Sequence, residues 1–217
     1  ISIFHALSQQ RVARIIANKL GKQYTEINCI VCHGGGGITV GAHCKGRVID
    51  VNNGYEGDGP MTPQRSGGVP SSGLVQMCFS GKYTERDIKL KLRGKGGLVA
   101  YTGTSDVKDL EEFIRTGVKR PGSMIFCTRE QAEEARDAMV YQIAKYIGAM
   151  AVVLKGQVDF IALTGGLMHS KVIPQKIGEY VGWLAPLYVF PGSEEKIALR
   201  EAAQRALEDP SCVKRYV

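Results

Sequence analysis

The chain reads as a mixed α/β domain, with antiparallel hairpin strands leading into a strand–helix–strand–helix series and helices flanking the sheet. Three observations carry this. Runs at Cys29–Cys32, Ile38–Ala42 and Arg47–Val51 are separated only by the glycines Gly34–Gly37 and by a polar break at Cys44–Gly46, the spacing of hairpins. A later apolar run, Val158–Leu163, is bounded by Gly156 and Gly165 and reads as a buried strand. Long stretches of helical period lie between. Strands and helices do not alternate strictly, so a doubly wound dinucleotide fold is disfavoured.

In chain order, His5–Leu20 places apolar residues on one helical face and is stopped by Gly21. The three hairpin strands follow, then a loop ending Pro63-Gln64-Arg65-Ser66-Gly67. Ser72–Phe79 after Pro70 and Thr84–Leu92 read as short helices, the second capped by Thr84. Gly94–Gly97 is a break. Thr104-Ser105-Asp106 caps a helix over Val107–Arg115. Thr128 to about Lys155 is the longest helical pattern, charged in its first part and apolar in its second, which suggests a core or an interface. Helices at Ser170–Gly178 and Glu194–Leu207 flank a strand at Leu187–Phe190.

With 217 residues and 44% hydrophobic content, the chain can bury a sizeable core. The longest apolar run, Ile147–Leu154, is far short of the roughly 18–20 residues that span a bilayer. A net charge of +7 invites a nucleic-acid partner, but Lys and Arg are scattered and aromatics are only 7%, so anionic small substrates account for it equally well. Neither nucleic acid nor membrane is expected as a partner. The six cysteines sit mostly in apolar segments, the pattern of reduced core thiols in a cytoplasmic protein. The start, Ile1-Ser2-Ile3-Phe4, falls mid-pattern, and the chain is expected to be part of a longer one.

Cys29-Ile30-Val31-Cys32-His33 matches the haem-attachment pattern C-x-x-C-H. It lies in a strand, however, where residues three apart face opposite ways. Zinc on Cys29, Cys32, His43 and Cys44 fares little better. Gly34–Gly37 is neither a Walker A loop, for no Lys-Ser/Thr follows, nor a dinucleotide fingerprint, for a strand follows and not a helix. Its bare amides can converge on an anion, although a ligand-free glycine hairpin has the same sequence. A second bare turn, Thr164-Gly165-Gly166, ends a strand before a helix. The two together suggest opposite walls of a nucleotide cleft. Arg65, in a Pro- and Gly-rich loop, is either a solvated cation or a fork aimed at a phosphoryl or carboxylate group. His5 is either packed or functional. Glu194 and Glu195 suit a helix start whatever else they do.

Taken in order, Phe4-His5, Cys32-His33 with its glycines, Gly46 to Asn53, Pro63 to Gly67 and Leu163 to Gly166 resemble the acetate kinase family, and within it the butyrate kinase branch. That family belongs to the actin-like, sugar-kinase-like ATPases, with a ribonuclease H-like lobe. The likeness covers essentially the whole chain. It implies reversible transfer of the ATP γ-phosphoryl group to a short-chain carboxylate (butyrate or a branched-chain acid, with acetate or propionate as the alternative). A nucleotide-binding module without turnover is the rival of another class.

By this resemblance His5 matches the histidine that stabilises the transition state, and Arg65 the arginine that meets the phosphoryl group and the acid. His33, Gly34, Gly35, Gly36 and Gly37 match the ATP-phosphate loop. Asp106, Val107 and Lys108 contact the adenosine, with Gly165, Gly166, Leu167, Met168, His169 and Ser170 lining the same pocket. Glu194 helps hold Mg²⁺. Gly34 stands in place of a family Leu, and Ser170 in place of Asn. The family's catalytic aspartate, its first phosphate-binding segment and its carboxylate-gripping arginine fall upstream of Ile1. The resemblance thus implies mainly the C-terminal lobe of such a kinase, inactive alone, with the N-terminal lobe missing. Residues 1–20 would be a linking helix, 26–67 the phosphate hairpin and catalytic loop, 68–155 a helical region and 156–217 the adenosine side. A homodimer is implied too, with Ala138–Leu154 as a candidate face.

Overall fold

A computed structural model describes residues 3–193 and 195–213. A five-stranded sheet lies at its centre: β1 (Asn28–Gly34), β2 (Ile38–Cys44), β3 (Arg47–Val51), β4 (Phe160–Gly165) and β5 (Leu187–Pro191), in the order β3-β2-β1-β4-β5. The first three form an antiparallel meander, while β4 pairs parallel to β1 and β5 parallel to β4. The hairpin reading is correct, and the turn chemistry explains it. Lys45 (φ 47°) and Gly46 (φ 83°) both adopt positive φ, the two-residue turn whose twist matches antiparallel strands.

β1 and β4 are buried on both faces, as strands covered on two sides must be. On one face, α1 (Ala6–Lys19) packs Val12, Ala13, Ile16 and Ala17 against Cys29, Val31, Phe160 and Ala162. On the other, α6 (Arg129–Val153) and α7 (Val172–Val181) pack against Ile30, Cys32, Ile161 and Leu163. Cys29 and Cys32 therefore lie in different cores, as strand alternation requires. Neither haem attachment nor a four-ligand zinc site can use both. Burial pushes the Cys32 thiol up to about 12, so it stays an apolar-site thiol.

α5 (Val107–Thr116) is capped by Asp106, which accepts from the amides of Lys108 and Asp109. α3 (Glu85–Leu92) and α6 open on capping boxes at Thr84 and Thr128. α2 (Ser71–Phe79) and α8 (Glu195–Glu208) complete the expected set, and no helix among the described residues is long and apolar enough to cross a membrane. One α-helix was not expected: α4 (Leu98–Thr102) follows directly on the glycine break at Gly94–Gly97, with Gly97 as its N-cap.

One further expectation needs correction. Cys78 is exposed on α2, because that helix buries no residue, so it is not a core thiol. The apolar half of α6 is spent mainly within the chain. Ile143 and Ile147 are fully buried in its own core, and only Tyr141 and Val152 of that stretch expose large apolar surface. The burial stripe runs the whole helix, from Ala132 to Ala151, so the charged first half is amphipathic as well.

Candidate functional site

The turn between β1 and β2 is closed by the Gly35 amide donating to the Gly37 carbonyl. It ends level with the C-terminal end of β4, because β1 and β4 run parallel in register. There Gly165, at φ 96°, presses directly on the Gly34 backbone, and any Cβ at 165 would collide with it. The two bare turns are thus adjacent. Only residues without side chains permit that approach.

A cavity of about 590 Å³ opens where they meet, the size of a small-molecule site. Gly35 and Gly36 form one wall, Gly166, Leu167, His169 and Ser170 a second, and Asp106, Val107 and Lys108 a third at the start of α5. That third wall brings the positive dipole end of a helix capped by Asp106. Gly34, Gly37, Gly165 and Met168 stand behind the lining. Sequence reasoning did not single out Gln64, Ser105 or Glu111, which also line the cavity. Glu111 falls one helical turn after Val107, a spacing that could have marked it. Its carboxylate accepts from Ser170 Oγ at 2.6 Å and so ties α5 to the turn after β4. Ser170 Oγ in turn accepts from the Val172 and Ile173 amides.

A second group sits on the other flank of the same glycine turn. The His5 and His33 rings stack at 3.9 Å with an interplanar angle of 11°. Thr39 Oγ1 holds Nδ1 of His5, and Ser8 Oγ holds Nδ1 of His33, each at 2.9 Å. Burial disfavours the charged form of both rings. His33 is driven down to about 3, by desolvation and then by His5. His5 is lowered by desolvation and by Arg65, against a raising effect from Glu195.

Arg65 is delivered by a loop that Thr62 organises. Thr62 Oγ1 donates to the Gly36 carbonyl at 2.7 Å and accepts from the Arg65 amide at 2.9 Å. The guanidinium lies so close over Gly37 that a Cβ there would collide with it. Arg65 and Arg93 also share the Tyr55 ring, at 6.0 and 4.4 Å. Of the residues expected to act on the transferring group or its metal, His5 and Arg65 therefore flank the glycine turn. Glu194 lies outside the described residues.

One ring nitrogen each of His5 and His33 and a Glu195 carboxylate oxygen lie within 4.8 Å of one another. As a transition-metal site this arrangement is poor. Nearly parallel stacked rings send their in-plane lone pairs side by side, and they cannot both meet an ion at about 2.0–2.1 Å. Mg²⁺ prefers oxygen, and usually takes one or two protein carboxylates with the rest from water and phosphate. Glu195 can supply one.

Known proteins share this arrangement of elements. A probable butyrate kinase of Elusimicrobium minutum (strain Pei191) is 59% identical over 216 residues, which is 99% of this chain and 58% of that protein. The crystal structure of Porphyromonas gingivalis acetate kinase superposes with a TM-score of 0.80 at 23% identity, covering 93% of this chain and 54% of that one. A propionate kinase from Francisella tularensis superposes at 0.77 with 20% identity, covering 91% and 54%. These two establish the fold, that shared by the acetate and propionate kinases, and the chain spans a little over half the length of each relative. Residues 3–177 match the model of the acetokinase family, and with the fold and the close relative in agreement, the chain belongs to that family.

Proposed function

We propose that this chain forms the nucleotide side of a kinase that moves the γ-phosphoryl group of ATP onto a short-chain carboxylate, butyrate or a branched-chain acid, and back. The observation that carries the reading is the single cavity walled by both glycine turns and by the start of α5. Phosphoryl transfer asks mainly for positioning and charge neutralisation. Gly35 to Gly37 would offer backbone amides to the phosphates, and Asp106 to Lys108 with Gly166 to Ser170 would flank the adenosine. Arg65 would place its fork on the transferring group and acid, and His5 would donate a hydrogen bond to the same oxygens. Glu195, with Glu194, would hold Mg²⁺, which supplies charge neutralisation across the phosphates when bound.

In the same reading, residues 1–20 link to a preceding lobe, 26–67 carry the phosphate hairpin and catalytic loop, 68–155 form a helical region, and 156–217 complete the adenosine side. A catalytic aspartate and an acid-gripping arginine come from outside these 217 residues. The 59% identity to a probable butyrate kinase favours butyrate over acetate or propionate. A homodimer and a cytoplasmic setting accompany the proposal.

Trapping the acyl phosphate with hydroxylamine tests it. The protein extended to the length of its relative is expected to form product from ATP, Mg²⁺ and butyrate, and the 217-residue chain alone to form none. Higher kcat/KM with acetate or propionate would move the assignment to those acids. ATP binding with no acyl phosphate from either protein would leave a nucleotide-binding module.

A further inference from the structure

Behind His5 runs a buried hydrogen-bonded chain that no step above uses. Tyr24 Oη meets His43 Nδ1 at 2.7 Å, and His43 Nε2 meets Gln9 Oε1 at 3.1 Å. Gln9 Nε2 meets Thr39 Oγ1 at 2.8 Å, and Thr39 Oγ1 meets His5 Nδ1 at 2.9 Å. Gln9, Thr39 and His43 are fully buried. The chain links the α1 face of the sheet to the ring beside the phosphate turn.

Its direction follows from chemistry at each joint. Gln9 Nε2 also lies 3.2 Å from the Thr39 carbonyl, which can only accept, so the amide nitrogen must be the end that faces Thr39. Oε1 then faces His43 and can only accept, so His43 carries its proton on Nε2. Its bare Nδ1 receives the Tyr24 hydroxyl. On the other side Thr39 Oγ1 already accepts from Gln9. Its own proton, buried away from water, needs an acceptor, and among its partners only His5 Nδ1 can accept. A neutral His5 that accepts at Nδ1 carries its proton on Nε2.

We infer that Gln9 is a positioning residue which, through Thr39, locks neutral His5 in the tautomer that presents an Nε2–H donor to an anion at the glycine turn. The site is shaped for this. A Cβ on Gly41 would collide with Gln9 Oε1, so a glycine in mid-strand makes the room the amide needs. Gln9 also lies four residues after His5, the N-cap of α1, and its backbone amide donates to the His5 carbonyl. The placement of His5 at a phosphoryl group rests on the function proposed above; the tautomer does not.

Two-bond ¹H–¹⁵N correlation of the imidazoles in the ¹⁵N-labelled 217-residue chain reads the tautomer directly. At pH 7, His5 and His43 are both expected to show a pyrrole-like Nε2 and a pyridine-like Nδ1. In Gln9→Glu the carboxylate can only accept, so the Thr39 hydroxyl turns to it and the His5 proton moves to Nδ1. In Gln9→Met, of similar volume and without an amide, His5 is expected to lose its single tautomer and give exchange-averaged shifts. Should Gln9→Glu fail to fold by its amide spectrum, the wild-type and Gln9→Met spectra still decide. A wild-type His5 protonated on Nδ1, or a His5 pattern unchanged in a folded Gln9→Met chain, overturns the inference. In the longer protein, Gln9→Met is expected to lower kcat by roughly 10–100-fold, the cost of losing a ring-orienting partner, with little change in KM for ATP. Absence of phosphotransfer in the wild type would defeat the kinase reading, and the spectra would still settle the tautomer.

Discussion

Arg65 and the histidines show how single side chains are tuned at this site. The Arg65 guanidinium is half-buried over Gly37, and burial and Arg93 both disfavour its charge, so an incoming anion finds a cation already stripped of part of its water. In the complete enzyme, Arg65→Ala is expected to lower kcat by roughly 10²–10³-fold while ATP affinity changes little, the split that marks an interaction made with the transferring group. Steady-state kinetics and equilibrium nucleotide binding check this together. His43 gives a pH test that needs no activity. Burial drives it from an ordinary value of about 6.5 down to about 4. Between those values the unfolded chain holds more protons than the folded one, so stability rises with pH there. The contribution is complete above about pH 6.5 and is lost as pH falls through 4, on the order of 3 kcal/mol. Urea unfolding at pH 7 and pH 4.5 is expected to show a smaller loss for His43→Gln than for the wild type. Equal losses would mean that the buried ring is not what titrates.

At the scale of elements, the α5 N-terminus joins the helix's stability to the cavity wall. Asp106 caps the helix through two amides and also lines the cavity. Asp106→Ala is expected to cost about 1 kcal/mol by chemical denaturation, as lost caps do, and to weaken nucleotide binding as well. α6 separates a core role from an interface role. Ile147→Ala is expected to cost about 2–5 kcal/mol at any protein concentration, because its side chain fills this chain's own core. Val152→Ala, at an exposed position, is expected to stay within about 0.5 kcal/mol.

Most elements were legible because their signals are local. Alternation and glycine punctuation mark β1 to β3, and Thr84, Asp106 and Thr128 mark helix starts by cap chemistry. α4 was not legible. It is a single five-residue turn whose start is set by tertiary bonds, from the Leu98 amide to Thr62 and from the Val99 amide to Pro63. The role of Gln9 was hidden for the same kind of reason, since its partners Thr39 and His43 are 30 and 34 residues away in sequence. Glu111 carried a local signal, one helical turn after Val107, but its partner Ser170 is 59 residues away.

For the whole molecule, a sheet of three antiparallel and two parallel strands places two distant glycine turns at one end, beyond its central strands β1 and β4. Helices cover that end from both faces: α1 packs on the His5 side, while α6 and α7 pack on the other. The register of β1 with β4 brings Gly34 and Gly165 into contact, and the cavity follows from it. The claim that this cavity takes a nucleotide is tested most directly by following backbone amides of the ¹⁵N-labelled chain while titrating ADP with Mg²⁺. Saturable shifts at Gly35, Gly36, Lys108 and Gly166 with one shared affinity are the expected result. Shifts confined to one turn, or no shifts at nucleotide concentrations in the millimolar range, about where affinity falls to 4 kcal/mol, would contradict it.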